Sequence, residues 1–338
     1  MAYLAVVDCV ATMDLIVWFR LAYLGAAFLV LLISLTPALS SRFLAYGPRA
    51  ATPASSNKKP AGGQGRPKPS LFPKLLDSLA TINVSHSWFA SFYAVSVTLS
   101  LFWPGELAIG GPVFGFIAHA AGQRENSMTI RQVALVWALL LIQGSRRLYE
   151  CLTFDSSSNS QMWVGHWILG LGFYFGTSMA IWIEGSPKLQ AHTFTISDIA
   201  ITSPNVRTFI GILLFILASG FQHDCHAYLA SLKSKTSSKP KSKAPENEKS
   251  TSSQYKVPEH PAFTSLIAPH YTAECIIYAA LALIATPTGA WLNWTIASAL
   301  LFVAVNLGVT AAGTKIWYER TFGPEAVAKK WTLIPFVW

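Results

Sequence analysis

Four short segments hold most of the residues able to do chemistry in an otherwise apolar chain. The first is Arg146-Arg147-Leu148-Tyr149-Glu150-Cys151. On a helix, residues three apart share a face, so Arg147 and Glu150 can pair. The same run also reads as arginines that stop a helix at a membrane boundary, with Glu150 neutralising one of them. The second is Gln222-His223-Asp224-Cys225-His226. Two histidines and a cysteine invite a metal reading, but the separated ligand pairs of a structural zinc site are missing, and no metal is expected. The third is Pro269-His270-Tyr271-Thr272-Ala273-Glu274. His270 and Glu274 stack on one helical face, and Glu274 lies too deep for a simple cap. With Tyr255-Lys256 nearby, the free N–H groups of that helix start make an anion site. The fourth runs from Lys315-Ile316-Trp317-Tyr318 through Glu319-Arg320 to Lys329-Lys330 and Pro335-Phe336, the mixture of aromatic and basic residues that gathers at a membrane interface.

These segments must be positioned by membrane helices. The chain has 338 residues, 52% hydrophobic and 12% charged, about half the charge of an ordinary soluble domain. That excludes a typical water-soluble enzyme. Apolar runs long enough to cross a bilayer, about 20 residues, recur at Leu15–Leu35, Trp88–Trp103, Val133–Tyr149, Met162–Glu184, Thr208–Leu229, Leu266–Thr286 and Trp291–Thr310. The expected fold is all-α, a multi-pass membrane helical bundle of about seven transmembrane helices. Pro104 and Gly105 are expected to end the second span. Gly110–Ala121 is apolar but too short and too rich in Gly and Pro, and reads as an interfacial or re-entrant loop. The first span exceeds an ordinary signal-peptide core and has no Lys or Arg before Arg20, so it reads as a retained anchor.

Charge sets the expected orientation. The net charge is +9, and two segments, Arg42 to Lys74 and Leu232 to Lys256, each carry seven Lys or Arg. Placing both in the cytosol, with the C-terminus, satisfies the positive-inside rule at every loop. Both segments are low-complexity and are expected to be disordered tethers, which makes a nucleic-acid surface unlike this chain. The organisation expected is an N-terminal transmembrane helix at 1–41, a basic linker and approach at 42–83, and a membrane domain at 84–338 with a disordered cytosolic insert at about 231–254. The four cysteines are scattered and form no disulfide framework. Gly170-Leu171-Gly172 with Gly176 sits inside a span with no preceding strand, so it reads as small-residue helix packing rather than a dinucleotide fingerprint.

In order and spacing, these segments resemble the membrane steroid 5-alpha-reductase family, and within it the branch that acts on polyprenals. The resemblance is carried by Ser87-Trp88-Phe89-Ala90-Ser91-Phe92-Tyr93, Ser145 to Leu152, His223 to His226, Tyr255-Lys256-Val257-Pro258, Pro269-His270-Tyr271 with Glu274, and Lys315 to Tyr318 with Pro335-Phe336. It covers roughly residues 86–338. The steroid-reducing branch has Asn where this chain has His270, which points to the polyprenoid branch. The resemblance implies a reductase of the endoplasmic reticulum membrane that uses NADPH and saturates the alpha-isoprene double bond of a long polyprenal. The product, dolichal, leads to the lipid that carries sugars for protein N-glycosylation. It also implies that His223, His226, Tyr255, His270, Glu274 and Tyr318 line the cofactor pocket.

The residues fit such chemistry. Hydride addition to an enal pushes negative charge onto the carbonyl oxygen, where a donor must meet it, and a proton must reach the alpha carbon. Glu150 and Tyr149 are the expected catalytic pair, with Arg147 tuning the carboxylate. Lys256, Lys315 and Lys330 can meet the cofactor's phosphates. A polyprenal is nearly insoluble in water and is expected to enter sideways from the bilayer, through a helix gap lined by Gly170, Gly172 and Gly176. The alternative is a membrane methyltransferase of the isoprenylcysteine carboxyl type, which would bind S-adenosylmethionine. Its motif has His-Pro before the Tyr and Glu, whereas here Pro269 precedes His270.

Overall fold

The computed structural model describes residues 14–44, 71–122, 126–154, 160–195, 198, 203–237 and 255–336. Most of the two basic low-complexity segments lies outside these residues. The chain opens with α1 (Leu15–Leu35), begun by Asp14, whose carboxylate accepts the Ile16 N–H at 2.8 Å. Thr36 is extended and Pro37 takes the first helical position of α2 (Pro37–Phe43), so the chain turns sharply there. Next come α3 (Leu71–Ala80) and β1 (Asn83–Ser85), which pairs antiparallel with β2 (Gln161–Trp163) in the register Val84 to Met162. The remaining long helices are α4 (Ala90–Ala108), α5 (Pro112–Ala121), α6 (Ile130–Phe154), α7 (Val164–Gln190), α8 (Val206–Ser237), α9 (Pro269–Ile284) and α10 (Trp294–Phe322).

The all-α membrane bundle is as expected, and the chain is a multi-pass membrane protein. Length and apolarity alone do not reach the expected seven spans. Among the described residues, four helices are long and apolar enough to cross a bilayer, α1, α7, α8 and α10, or five if the bent pair His86–Ala108 with Pro112–Ala121 is one span. α9 has only 16 residues, and the arginines of α6 lower its hydropathy. Pro104 does not end its helix, which continues to Ala108. α5 then leaves at 92°, and Glu106 caps it by accepting the N–H groups of Val113 at 2.9 Å and Phe114 at 3.1 Å. α10 runs twelve residues past Thr310, so Lys315 to Arg320 lie on a helix rather than in a tail.

Helices α6, α8, α9 and α10 bury stripes at helical spacing. On α6 the stripe is Val136, Leu139, Leu140, Gln143, Arg147 and Glu150, apolar along most of the helix and polar only near one end. α1 is an integral part of this core. It packs along α10, and Tyr23 bonds Thr177 of α7 at 3.0 Å. Near its start, Arg20 Nε donates to Thr295 at 2.9 Å and Nη2 reaches Glu184 at 3.3 Å. Gln132 of α6 donates to the carbonyls of Ile284 and Thr286 at 3.0 and 2.7 Å, satisfying the open end of α9.

α8 and α9 pack most closely. A Cβ at Gly211 would stand 2.4 Å from Ile284 Cγ1 and 3.3 Å from the Ala280 carbonyl. Gly211→Ala is therefore expected to push these helices apart and cost about 1–3 kcal/mol, measurable as a lower Tm in detergent.

Candidate active site

The alternating helix directions carry the ends of α6 and α8, the start of α9 and the last turns of α10 to the same end of the bundle. There Glu150, 2% exposed, accepts from both Arg146 and Arg147. His223 Nδ1 stands 2.8 Å from one carboxylate oxygen, and His226 Nδ1 stands 2.8 Å from the other. His226 Nδ1 is also 2.7 Å from Arg147 Nη1, so the tautomer of His226 decides whether it bonds the carboxylate or the arginine. Arg147 is itself buried. Its Nε donates to the Tyr93 hydroxyl at 3.1 Å, and its guanidinium lies 4.8 Å above the Tyr93 ring.

Two glutamines join this cluster to α9. Gln143 donates to Gln222 at 3.1 Å and to Glu274 at 3.2 Å, while Gln222 donates to Glu274 and to the His270 carbonyl. Arg146 closes the ring onto both amide oxygens. Buried polar groups cost several kcal/mol unless paired, and here nearly every one is paired. The network therefore holds Arg147 and Glu274 in fixed positions on one wall of a cavity.

That cavity has a volume of about 670 Å³. Arg147, Gln222, His226 and Glu274 form its polar wall, and Phe89, Phe92, Phe173, Tyr174 and Phe302 are among its apolar lining. A second, more open hollow of about 610 Å³ is lined by Tyr255, Lys256, Glu259 and Lys330, among others. Trp317 lines the first cavity and meets Tyr255 of the second edge to face at 5.3 Å. The two hollows therefore adjoin at this aromatic pair. Burial lowers the Lys330 pKa, and its ammonium donates to the Phe263 carbonyl at 2.8 Å.

Arg147, His223, His226 and Glu274 thus come together with Glu150. His270 joins them through its carbonyl, and its ring sits 5.4 Å from that of His226. Among the described residues, the buried His270 Nδ1 has no hydrogen-bond partner. Tyr255 and Lys256 face the second hollow. The structure does not bring Tyr149 to the site: its side chain is 60% exposed, turned away from the face that carries Arg147 and Glu150. Glu150 stands behind Arg147 and His226 instead of on the cavity wall. Lys315 is spent on the Lys330 carbonyl at 2.8 Å, where it holds the loop that carries Lys330. Tyr318 packs on Phe322 at 5.9 Å and lines neither hollow. Sequence reasoning missed the bridging role of Gln143, although its spacing of four from Arg147 and seven from Glu150 puts it on their face. Tyr174 gave no signal, being one aromatic residue among many in an apolar helix.

Tyr149→Phe is expected to leave turnover within about twofold of the unaltered protein, as for an exposed side chain outside the polar network. Steady-state rates in detergent would check this.

The stretch 189–338 matches the protein family described as 3-oxo-5-alpha-steroid 4-dehydrogenase. It contains α8 to α10, with His223, His226, Tyr255, Lys256, His270 and Glu274, while Arg147 and Glu150 reach the site from α6 outside it. The chain is 28% identical to an uncharacterized protein of Schizosaccharomyces pombe, over 76% of this chain and 79% of the relative. It is 28% identical to a polyprenal reductase of Xenopus tropicalis over 65% of each chain. With polyprenal reductase 2 of Oryza sativa subsp. indica it shares 25% identity, over 80% of this chain and 84% of the relative. These matches support an oxidoreductase and do not favour the methyltransferase alternative.

Proposed function

We propose that this protein reduces the carbon–carbon double bond beside the aldehyde of a long polyprenal, giving dolichal, with NADPH as the electron donor. The setting is the endoplasmic reticulum membrane, with the polar end of the bundle and the C-terminus in the cytosol, and the product supports protein N-glycosylation. The observation that carries this reading is the hydrogen-bonded wall of Arg147, Gln222, His226 and Glu274 on a cavity that is otherwise largely apolar and aromatic. One end of the substrate is a polarised aldehyde and the rest is hydrocarbon, and the cavity offers both kinds of lining. The polyprenal reductases among the relatives, and the family domain, support the same chemistry.

The residues present fit a dinucleotide. Lys256 and Lys330, with Tyr255, offer cationic and hydrogen-bonding groups suited to phosphates in a hollow that adjoins the reaction cavity through Trp317. Bound NADPH supplies a hydride for the beta carbon of the enal. The protein's own part is electrostatic. Arg147, locked between Glu150 and Tyr93, faces the cavity as a preorganised donor for the charge that develops on the aldehyde oxygen. Glu150 positions Arg147 and His226 and so acts through them. Tyr93 and His226 are the proton-bearing groups on that wall, and the aromatic lining keeps bulk water from the reacting carbons.

Binding measurements test the cofactor assignment. The purified protein is expected to bind NADPH and to ignore S-adenosylmethionine, and Lys256→Glu is expected to weaken NADPH binding about tenfold or more, because it sets like charge against a phosphate. Selective binding of S-adenosylmethionine would end the reductase reading.

A further inference from the structure

The short helix α3 turns a row of leucines away from the protein. Leu71, Leu75 and Leu79 are 87%, 56% and 41% exposed, and their four-residue spacing puts them on one face. Ile82, just beyond, is exposed as well, while Lys74 and Asp77 occupy another flank. Such a stripe on a charged helix is what an in-plane helix presents to a bilayer interface.

Trp163 Nε1 donates to the Leu79 carbonyl at 2.9 Å and the Val164 N–H donates to the Ile82 carbonyl at 3.0 Å, which fixes α3 to the first turn of α7. Beside it, the exposed Trp88 meets Trp167 edge to face at 5.0 Å. Indoles collect at this level of a membrane.

α3 also holds α2. Arg42 Nε donates to Asp77 at 2.6 Å, and Phe43 packs on Trp163 at 4.4 Å. α2 and the residue after it in turn contribute Ser40, Ser41 and Leu44 to the cavity wall, which Trp317 and Arg320 of α10 also line. The helix gap expected at the α7 glycines is largely closed. A Cβ at Gly170 would meet the Phe92 ring at 2.7 Å, and one at Gly176 would meet Tyr23 and Phe19 at 3.2 and 3.3 Å. Only Gly172 faces open space.

We infer that α3 lies in the plane of the bilayer interface, with Leu71, Leu75 and Leu79 among the lipid acyl chains, and holds α2 as the doorway by which a long-chain lipid enters the cavity. The identity of that lipid rests on the proposed function; the placement of α3 does not.

The test uses the whole protein in phosphatidylcholine vesicles, with a fluorescent amino acid placed at position 75 or, separately, at position 77. Position 75 is expected to be quenched by lipids bearing a nitroxide high on the acyl chain and shielded from aqueous iodide, and position 77 to show the reverse. Equal iodide quenching at both positions would overturn the placement. The doorway is read by the rate at which long-chain and short-chain isoprenoid aldehydes quench tryptophan fluorescence. Asp77→Asn removes an exposed ion pair, so it is expected to speed entry of the long chain about threefold and leave the short one unchanged. Unchanged rates for both, or equal changes, would overturn the doorway. Neither measurement requires turnover, so an absence of reduction by the unaltered protein counts against the reductase reading alone.

Discussion

Glu150→Ala is expected to abolish reduction, with turnover falling roughly 100-fold or more, and to lower stability by about 3–5 kcal/mol. Both effects have one cause. Glu150 is the shared anion of Arg146 and Arg147, with His223 and His226 each 2.8 Å from its carboxylate. Removing it leaves two arginines at the buried end of α6 without their counter-charge, which is the costly way to break such a pair. Arg147 would then be free to swing off Tyr93 and out of its position on the cavity wall. Glu150→Gln keeps the volume and part of the hydrogen bonding, so it should fold better than the alanine variant and still turn over poorly. Rates and thermal unfolding of the two variants check this together.

Glu184→Ala is expected to cost about 3 kcal/mol or more of stability, with no direct effect on the reaction chemistry. Glu184 is buried on α7 at the opposite end of the bundle, where it meets Arg20 and Thr295. An ionisable group at membrane depth needs a partner, and these three side chains tie α1, α7 and α10 together. Without the carboxylate, Arg20 keeps only its bond to Thr295. A lower Tm in detergent, with NADPH affinity retained by the folded fraction, is the expected result. A variant as stable as the unaltered protein would mean that α1 is held by its apolar contacts alone.

The helices were legible from the apolar runs because a bilayer demands length and hydrophobicity, both visible residue by residue. Their ends were less so. Pro104 looked like a terminus, yet a proline within a membrane helix can be accommodated when neighbours satisfy the freed backbone. Charged residues near the ends of α6, α8 and α10 looked like stops, but the helices continue beyond them; at the end of α6 both arginines pair with Glu150, which also meets His223 and His226 of α8. The site followed the same pattern. Arg147 with Glu150, and Glu274 with His270, could be read from spacing within single helices, whereas His223 and His226 entered through the family resemblance. The Gln143–Gln222–Glu274 bridge and the Arg147–Tyr93 contact join segments far apart in sequence, which no local spacing reveals. Tyr149 failed for a local reason: on a helix, a residue two after Arg147 and one before Glu150 faces away from both.

The most direct measurement is to incubate detergent-purified protein with NADPH and a long polyprenal and to identify the lipid product by mass spectrometry and fragmentation. The expected product is the aldehyde carrying two additional hydrogens in the alpha-isoprene unit, formed with matching consumption of NADPH and absent with Glu150→Ala. Recovery of unchanged polyprenal, or of an allylic alcohol reduced at the carbonyl, would contradict the assignment.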